Sequence, residues 1–194
     1  MPRLAEITKF KTVRWLVAVV VTIGIAYGID VTWRNRSYPH EKMSLKGVSN
    51  FGRISPRVYR GGQPSEEGLT GLRSLGVETV ISFTMGEEGS KAEAAQAARL
   101  GMEYLSLPWS TVEVPEPDLV RTFLGYLQEH PDRTVFVHCK AGADRTGVMI
   151  ALSRIALDKW PAQRAIDEMN AFHYHFMFLP HLQRFVERFN PITP

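Results

Sequence analysis

An α/β fold is what these 194 residues predict: a three-layer sandwich with a mostly parallel central sheet flanked by helices, preceded by one N-terminal transmembrane helix. Three observations carry the expectation. From about residue 50 onward, short apolar runs of strand length alternate with longer helical stretches, the order a parallel sheet requires. Within that alternation, Thr134 to His138 reads as a buried strand and Thr146 to Leu157 as an apolar helix, joined by a tight loop of small residues. Near the N-terminus, Trp15 to Ile29 is uncharged and mostly apolar.

In chain order, residues 1–12 form a basic segment, 13–31 a membrane anchor, 32–50 a linker and 51–190 the globular domain. The anchor reaches Val13 if Arg14 snorkels toward the headgroups. Lys9, Lys11 and Arg14 precede it, Trp15 and Trp33 fall at interface positions, and Arg34 and Arg36 follow. A cleaved signal peptide ending near Ala26-Tyr27-Gly28 and a buried core helix are the alternatives. The small excess of basic residues before the run favours a cytoplasmic N-terminus and an extracytoplasmic domain.

Ser65 caps a helix carrying Glu66 and Glu67 in its first turn, and Gly76 ends it. Val77 to Phe83 follows as a buried strand. Ser90-x-x-Glu93 predicts a capping box for an alanine-rich helix that stops at Gly101, and Met102 to Leu107 is the next strand. Pro117 suits the first turn of a helix whose Leu119, Val120, Phe123, Leu124 and Leu127 share one face. After the helix from Thr146, Pro161 and Pro180 each start another.

Charge divides unevenly. Residues 1–46 hold 8 Lys/Arg against 3 Asp/Glu, and 47–194 hold 15 against 17, so the basic balance belongs to the N-terminal arm. The globular part has no basic stripe interleaved with aromatics, which argues against a nucleic-acid partner. One cysteine excludes an internal disulfide and an internal resolving thiol.

That cysteine, Cys139, opens the run Cys139-Lys140-Ala141-Gly142-Ala143-Asp144-Arg145-Thr146-Gly147. A strand, a small-residue loop and a helix make a cradle for an oxyanion: backbone N–H groups of Lys140 to Arg145 point inward and the helix adds unpaired donors with the positive end of its dipole. The same field stabilises a thiolate on Cys139. Arg145, fork-shaped and always charged, can hold two equatorial phosphoryl oxygens at once.

Preceded by His138 and followed by Thr146-Gly147, this Cys-x5-Arg run resembles the signature loop of the protein tyrosine phosphatase superfamily, in its dual-specificity branch. Val58-Tyr59-Arg60-Gly61-Gly62-Gln63-Pro64 and Leu75 to Ser82 resemble the bacterial and atypical members, and the similar region covers about residues 50 to 190. The resemblance implies a cysteine-dependent phosphatase acting on phosphotyrosine, and on phosphoserine or phosphothreonine, through a cysteinyl-phosphate. Cys139 is the nucleophile, Arg145 binds the phosphoryl group, and Lys140, Ala141, Gly142, Ala143, Asp144 and Thr146 complete the substrate loop. Thr146 assists the departing thiolate, His138 orders the loop from outside, and neither metal nor cofactor is required. The partners so implied are a phosphorylated protein or an inositol phosphate, and a membrane through the N-terminal helix.

One departure from the family concerns the general acid. Its dual-specificity members carry an aspartate on the loop that here reads Pro108 to Pro115, where Val112 takes that place and Glu113 is adjacent, facing the other way if the segment is extended. Asp144, inside the signature loop, is the other candidate, as in some lipid-directed relatives. To serve it must hold a proton at neutral pH. A third possibility is that no acid is needed, because an acidic leaving group departs unaided. Lys140 beside the nucleophile keeps an inositol (pyro)phosphate or phosphoinositide substrate open, although the second lysine common in those relatives is Ala143 here. Trp109 and Arg60 are candidates for the pocket entrance. A rhodanese-like sulfurtransferase and an inactive phosphate-binding module are the remaining alternatives, and His173-Tyr174-His175 has metal-like spacing but no accompanying ligands.

Overall fold

The structure is a computed structural model and describes residues 40–191. The anchor expected over 13–31 lies outside the described residues. Among those described, no helix is long and apolar enough to cross a membrane.

The elements are β1 (Glu41–Lys42), β2 (Gly52–Ser55), β3 (Val58–Gly62), α1 (Glu66–Ser74), β4 (Thr79–Ser82), α2 (Glu87–Arg99), β5 (Glu103–Ser106), α3 (Pro117–Glu129), β6 (Val135–Cys139), α4 (Asp144–Ala156), α5 (Ala162–Ala171) and α6 (Pro180–Arg188). One mixed sheet has the order β1-β2-β3-β6-β4-β5. Its four strands β3, β6, β4 and β5 run parallel, while β1 and β2 add an antiparallel edge.

β6 is last in the sequence and central in the sheet, because its run Val-Phe-Val-His-Cys is buried on both faces and finds parallel partners on each side, β3 and β4. The loop after it therefore opens at the carboxyl ends of three adjacent parallel strands, the place where open α/β sheets bind ligands. Strand alternation then sorts its side chains. Val135, Val137 and Cys139 face the larger core with α3, α4, α5 and α6, including Phe123, Met149, Ile166 and Leu182. Phe136 faces the smaller core formed with α1 and α2, including Leu69, Leu72 and Ala97. Helices cover both faces, the three layers expected.

Most predicted boundaries hold to within a residue or two. Ser65 caps α1, its Oγ accepting from the Gly68 N–H at 3.2 Å, and Gly76 closes that helix at φ +83°. Val120, Phe123 and Leu127 form the buried stripe of α3. The capping box at Ser90 does not form. α2 starts at Glu87, three residues earlier, with no side-chain cap, and Glu87 and Glu88 supply negative charge to its first turn. Glu93 is buried and committed to the core side rather than to the helix end.

Residues 40–50, assigned above to the linker, are built into the domain. β1 pairs with β2, Leu45 bridges to Val48, and Val48 and Phe51 are buried against α1. Short polar spacing hid this segment. Between α4 and α5, Arg154 is buried with Glu168, Nη2 donating to Oε2 at 2.9 Å and Nε to Oε1 at 3.1 Å, and its guanidinium lies 4.1 Å from the Trp160 ring centroid. Arg154 also donates to the Ile54 carbonyl, tying β2 to the helix layer.

Candidate active site

Cys139 ends β6 and is buried at the floor of the loop that continues to Arg145. What gives this loop its shape is the direction of its carbonyls. The Lys140 carbonyl accepts from the Gln63 N–H at 3.2 Å, and the Gly142 carbonyl accepts from Arg60 Nη2 at 2.8 Å and Asn50 Nδ2 at 3.0 Å. With those oxygens turned outward, the N–H groups of Lys140 to Ala143, which no backbone carbonyl takes among the described residues, are left for the concave side. α4 begins at once, at Asp144, and its first turn points the same way.

Gly142 stands at φ +69°, and a Cβ there would lie 2.2 Å from the Gly61 carbonyl carbon and 2.4 Å from its oxygen. The loop thus presses on the end of β3, where Gly62 pairs with Cys139 and Gly61 with His138. This contact explains the Gly61-Gly62 pair: a Cβ on Gly62 would meet Ser49 Oγ at 2.2 Å.

Arg145 is half-buried, and its Nη1 donates to the Phe83 carbonyl at 2.8 Å, with the Trp109 carbonyl at 3.5 Å. Anchoring by that nitrogen leaves the Nε and Nη2 edge to grip two oxygens. Thr146, one residue on, is fully buried, and its hydroxyl has no hydrogen-bond partner in the protein. A buried hydroxyl of this kind stands ready to serve an anion.

His138 lies outside the loop, as expected. Its ring is fully buried, stacked on Phe136 with centroids 5.5 Å apart, and Nε2 lies 2.8 Å from Glu93 Oε1. Glu93 Oε2 takes Gln63 Nε2 at 3.0 Å, and Gln63 Oε1 takes Lys140 Nζ at 3.2 Å. Lys140 is therefore held at the rim. It borders two grooves of about 680 and 400 Å³, one lined by Ser49 and Ser65, the other by Met85 and Glu87.

Arg60 and Trp109 do not line the entrance. Arg60 is completely buried beneath the loop with Phe172 under its guanidinium, 4.0 Å to the ring centroid. Burial pushes Arg60 down to about 10, partly offset by Glu168 and Cys139, so it remains a cation at neutral pH behind the nucleophile. Trp109 is packed into the main core. The strand pattern around Tyr59-Arg60-Gly61 offered no sign that its polar residue points inward.

Of the acid candidates, Glu113 and Val112 are both exposed, on a turn rather than an extended segment, so the alternation argument does not apply there. Val112 is 81% exposed. Asp144 is brought to the loop's edge, and its carboxylate is already engaged: Oδ1 accepts from the His175 N–H at 3.0 Å, and His175 Nδ1 sits 3.0 and 3.1 Å from the two oxygens. Sequence reasoning missed both His175 as a partner and Asn50. Asn50 holds a left-handed φ of +48°, and its amide also donates to the Phe172 carbonyl at 2.9 Å. An asparagine before a strand was the available signal.

A buried cysteine and an arginine at the ends of an amide-lined loop, on the central strand of a helix-flanked mixed sheet, define the dual-specificity branch of the protein tyrosine phosphatase superfamily. Residues 40–176 match the family model described as DSP-PTPase phosphatase fused to NAD+ kinase, and the chain belongs to that family. It is 32% identical over 120 residues to the dual specificity protein phosphatase TpbA of Pseudomonas aeruginosa, covering 62% of this chain and 53% of that protein. The crystal structure of P. aeruginosa TpbA superposes with a TM-score of 0.66 at 28% identity, over 80% of this chain and 93% of that one. Inositol diphosphatase DSP4 of Arabidopsis thaliana is 26% identical over 129 residues, 63% of each chain. The core catalytic domain of the PP-IP phosphatase SIW14 from S. cerevisiae shares the fold, with a TM-score of 0.66 at 21% identity over 76% of this chain and 89% of that one. The present chain thus spans about half the length of TpbA.

Proposed function

We propose that the chain hydrolyses phosphate monoesters, phosphotyrosine foremost, through a cysteinyl-phosphate on Cys139. The single observation that carries this reading is the outward set of the Lys140 and Gly142 carbonyls, which leaves an amide cradle above a buried cysteine. In the first step the Cys139 thiolate attacks phosphorus in line with the departing oxygen, while the loop amides and the Nε and Nη2 edge of Arg145 take the equatorial oxygens. Their dipoles and charge are oriented before the reaction begins, so stabilising the transition state needs little reorganisation. In the second step water attacks the thiophosphate, and the Thr146 hydroxyl donates to the sulfur as it leaves. Similarity to the dual specificity protein phosphatase TpbA supports this class of substrate.

An inositol diphosphate is the second reading. It is favoured by Lys140, held at the rim between two grooves that offer room for further phosphates, and by the relatives named as inositol diphosphatases. The apolar run Trp15 to Ile29 supports a single-pass membrane location, and the small excess of basic residues before it supports a domain outside the cytoplasm. A panel of phosphopeptides, phosphoinositides and inositol pyrophosphates against wild type and Cys139→Ser tests chemistry and substrate class together. Wild type should turn over at least one class and trap radiolabelled phosphate on rapid quench, whereas Cys139→Ser should bind without turnover. Turnover surviving in Cys139→Ser would overturn the mechanism.

A further inference from the structure

We infer that His175 gives the proton to the leaving group and that Asp144 is the carboxylate that orients its ring; this rests on the phosphatase reading. The loop where the family places an aspartate offers Val112, and that side chain is almost fully in solvent. Asp144 is the carboxylate closest in sequence to the phosphate-binding arginine, but it is the acceptor of two donors from one residue: the His175 main-chain N–H, and Nδ1 within 3.1 Å of both its oxygens. Two contacts to a single partner fix the imidazole at its Nδ1 edge, which turns the Nε2 edge away from Asp144. The His175 side chain is 54% exposed and that of Asp144 only 20%, and Asp144 directly precedes Arg145, so the pair stands at the edge of the phosphate loop with the ring as its open member.

Other proton carriers nearby are committed. Lys140 is held by Gln63, and Arg145 by the Phe83 carbonyl. Tyr174 donates its hydroxyl to the Leu179 carbonyl and is pushed up to about 12, by burial and then by Asp144. The neighbouring groups in the chain are Arg145, next after Asp144 in α4, and His173 and Tyr174, just before His175, while His181 at the start of α6 has its Nε2 2.9 Å from the Thr111 carbonyl. That last contact joins the start of α6 to the turn bearing Val112. The exposed Phe176 and Phe178 follow His175 directly, giving an aromatic leaving group apolar surface beside the donor.

The donor form carries protons on both ring nitrogens, Nδ1–H given to Asp144 and Nε2–H to the ester oxygen. As the sulfur–phosphorus bond forms, the phosphorus–oxygen bond breaks and its electron pair takes the Nε2 proton, releasing a neutral alcohol or phenol. In the second step water attacks phosphorus and gives one proton to Nε2, the sulfur leaves as thiolate, and the imidazolium is restored.

The test compares wild type with His175→Gln, which cannot carry the proton, over aryl phosphates whose leaving groups run from strongly acidic nitrophenols to phenol, at about 10. His175→Gln should lose about 10²- to 10⁴-fold on phenyl phosphate and little on the most acidic ester. Added imidazole should restore part of the rate of His175→Ala. A merely structural histidine would lower all leaving groups in parallel, and that result, or an unchanged slope, overturns the inference while leaving the phosphatase reading intact. Wild type that turns over no ester and traps no phosphate overturns both.

Discussion

Removing the Asn50 side chain should weaken the domain and the phosphate loop together. Its amide bridges two carbonyls far apart in sequence, Gly142 at 3.0 Å and Phe172 at 2.9 Å, from a backbone at φ +48°. Each hydrogen bond contributes about 1 kcal/mol net, and alanine in the left-handed region costs about 1 kcal/mol more. Asn50→Ala should therefore lose about 3 kcal/mol, whereas Asn50→Gly, which accepts that φ freely, should lose about 2 kcal/mol. Arg60 still holds the Gly142 carbonyl at 2.8 Å, so the loop is loosened rather than released. A displacement of the cradle by about 1 Å costs up to roughly 100-fold in turnover. Urea unfolding at constant m value gives the stabilities, and aryl phosphate turnover with iodoacetate alkylation of Cys139 reports the loop. Variants that match wild type to within about 0.5 kcal/mol, or that are destabilised yet turn over at the wild-type rate, would refute the clamp.

Gly142→Ala should unfold the loop's contact with β3, because its Cβ would come within 2.2 Å of the Gly61 backbone at φ +69°; a loss of about 3 kcal/mol in urea and of most turnover is expected. Thr146→Ala should slow the second step more than the first, so that a burst of phenol precedes a slow steady state and labelled cysteinyl-phosphate accumulates. Glu168→Gln leaves the buried Arg154 guanidinium with only the half-exposed Asp158 carboxylate, 2.8 Å from Nη1, and should cost up to about 3 kcal/mol by chemical denaturation, whereas replacing both Arg154 and Glu168 by apolar residues should cost less. In an alkaline absorbance titration referenced to Tyr174→Phe, the Tyr174 phenolate should appear near 12, and earlier in Asp144→Asn. Because folding raises this group's pKa, the stability it contributes is complete below its unfolded value of about 10 and is lost as pH climbs through 12.

What the chain declared by itself was local. A buried five-residue run followed by small residues and an apolar helix states a strand, an anion loop and a helix without reference to anything distant. Ser65, Pro117, Pro161 and Pro180 mark helix starts through their own backbone chemistry, and the alternation of elements states the parallel sheet. Cys139, Arg145 and Thr146 were legible for the same reason, since the loop that carries them is continuous in sequence.

Only the tertiary structure decided how the loop is held and what faces it. Arg60, Asn50 and the Gln63 main-chain N–H hold its carbonyls from 77 to 92 residues away, and hydrogen bonds across such distances leave no periodic trace. Glu93 looked like half of a helix cap, yet the alternation of β6 places His138 over α2, and the buried imidazole takes the carboxylate. The Asp144 carboxylate likewise became an acceptor when folding delivered His175 to it across 31 residues. Backbone propensity acts on neighbours in the chain, and a buried polar group must find its partner wherever packing brings one.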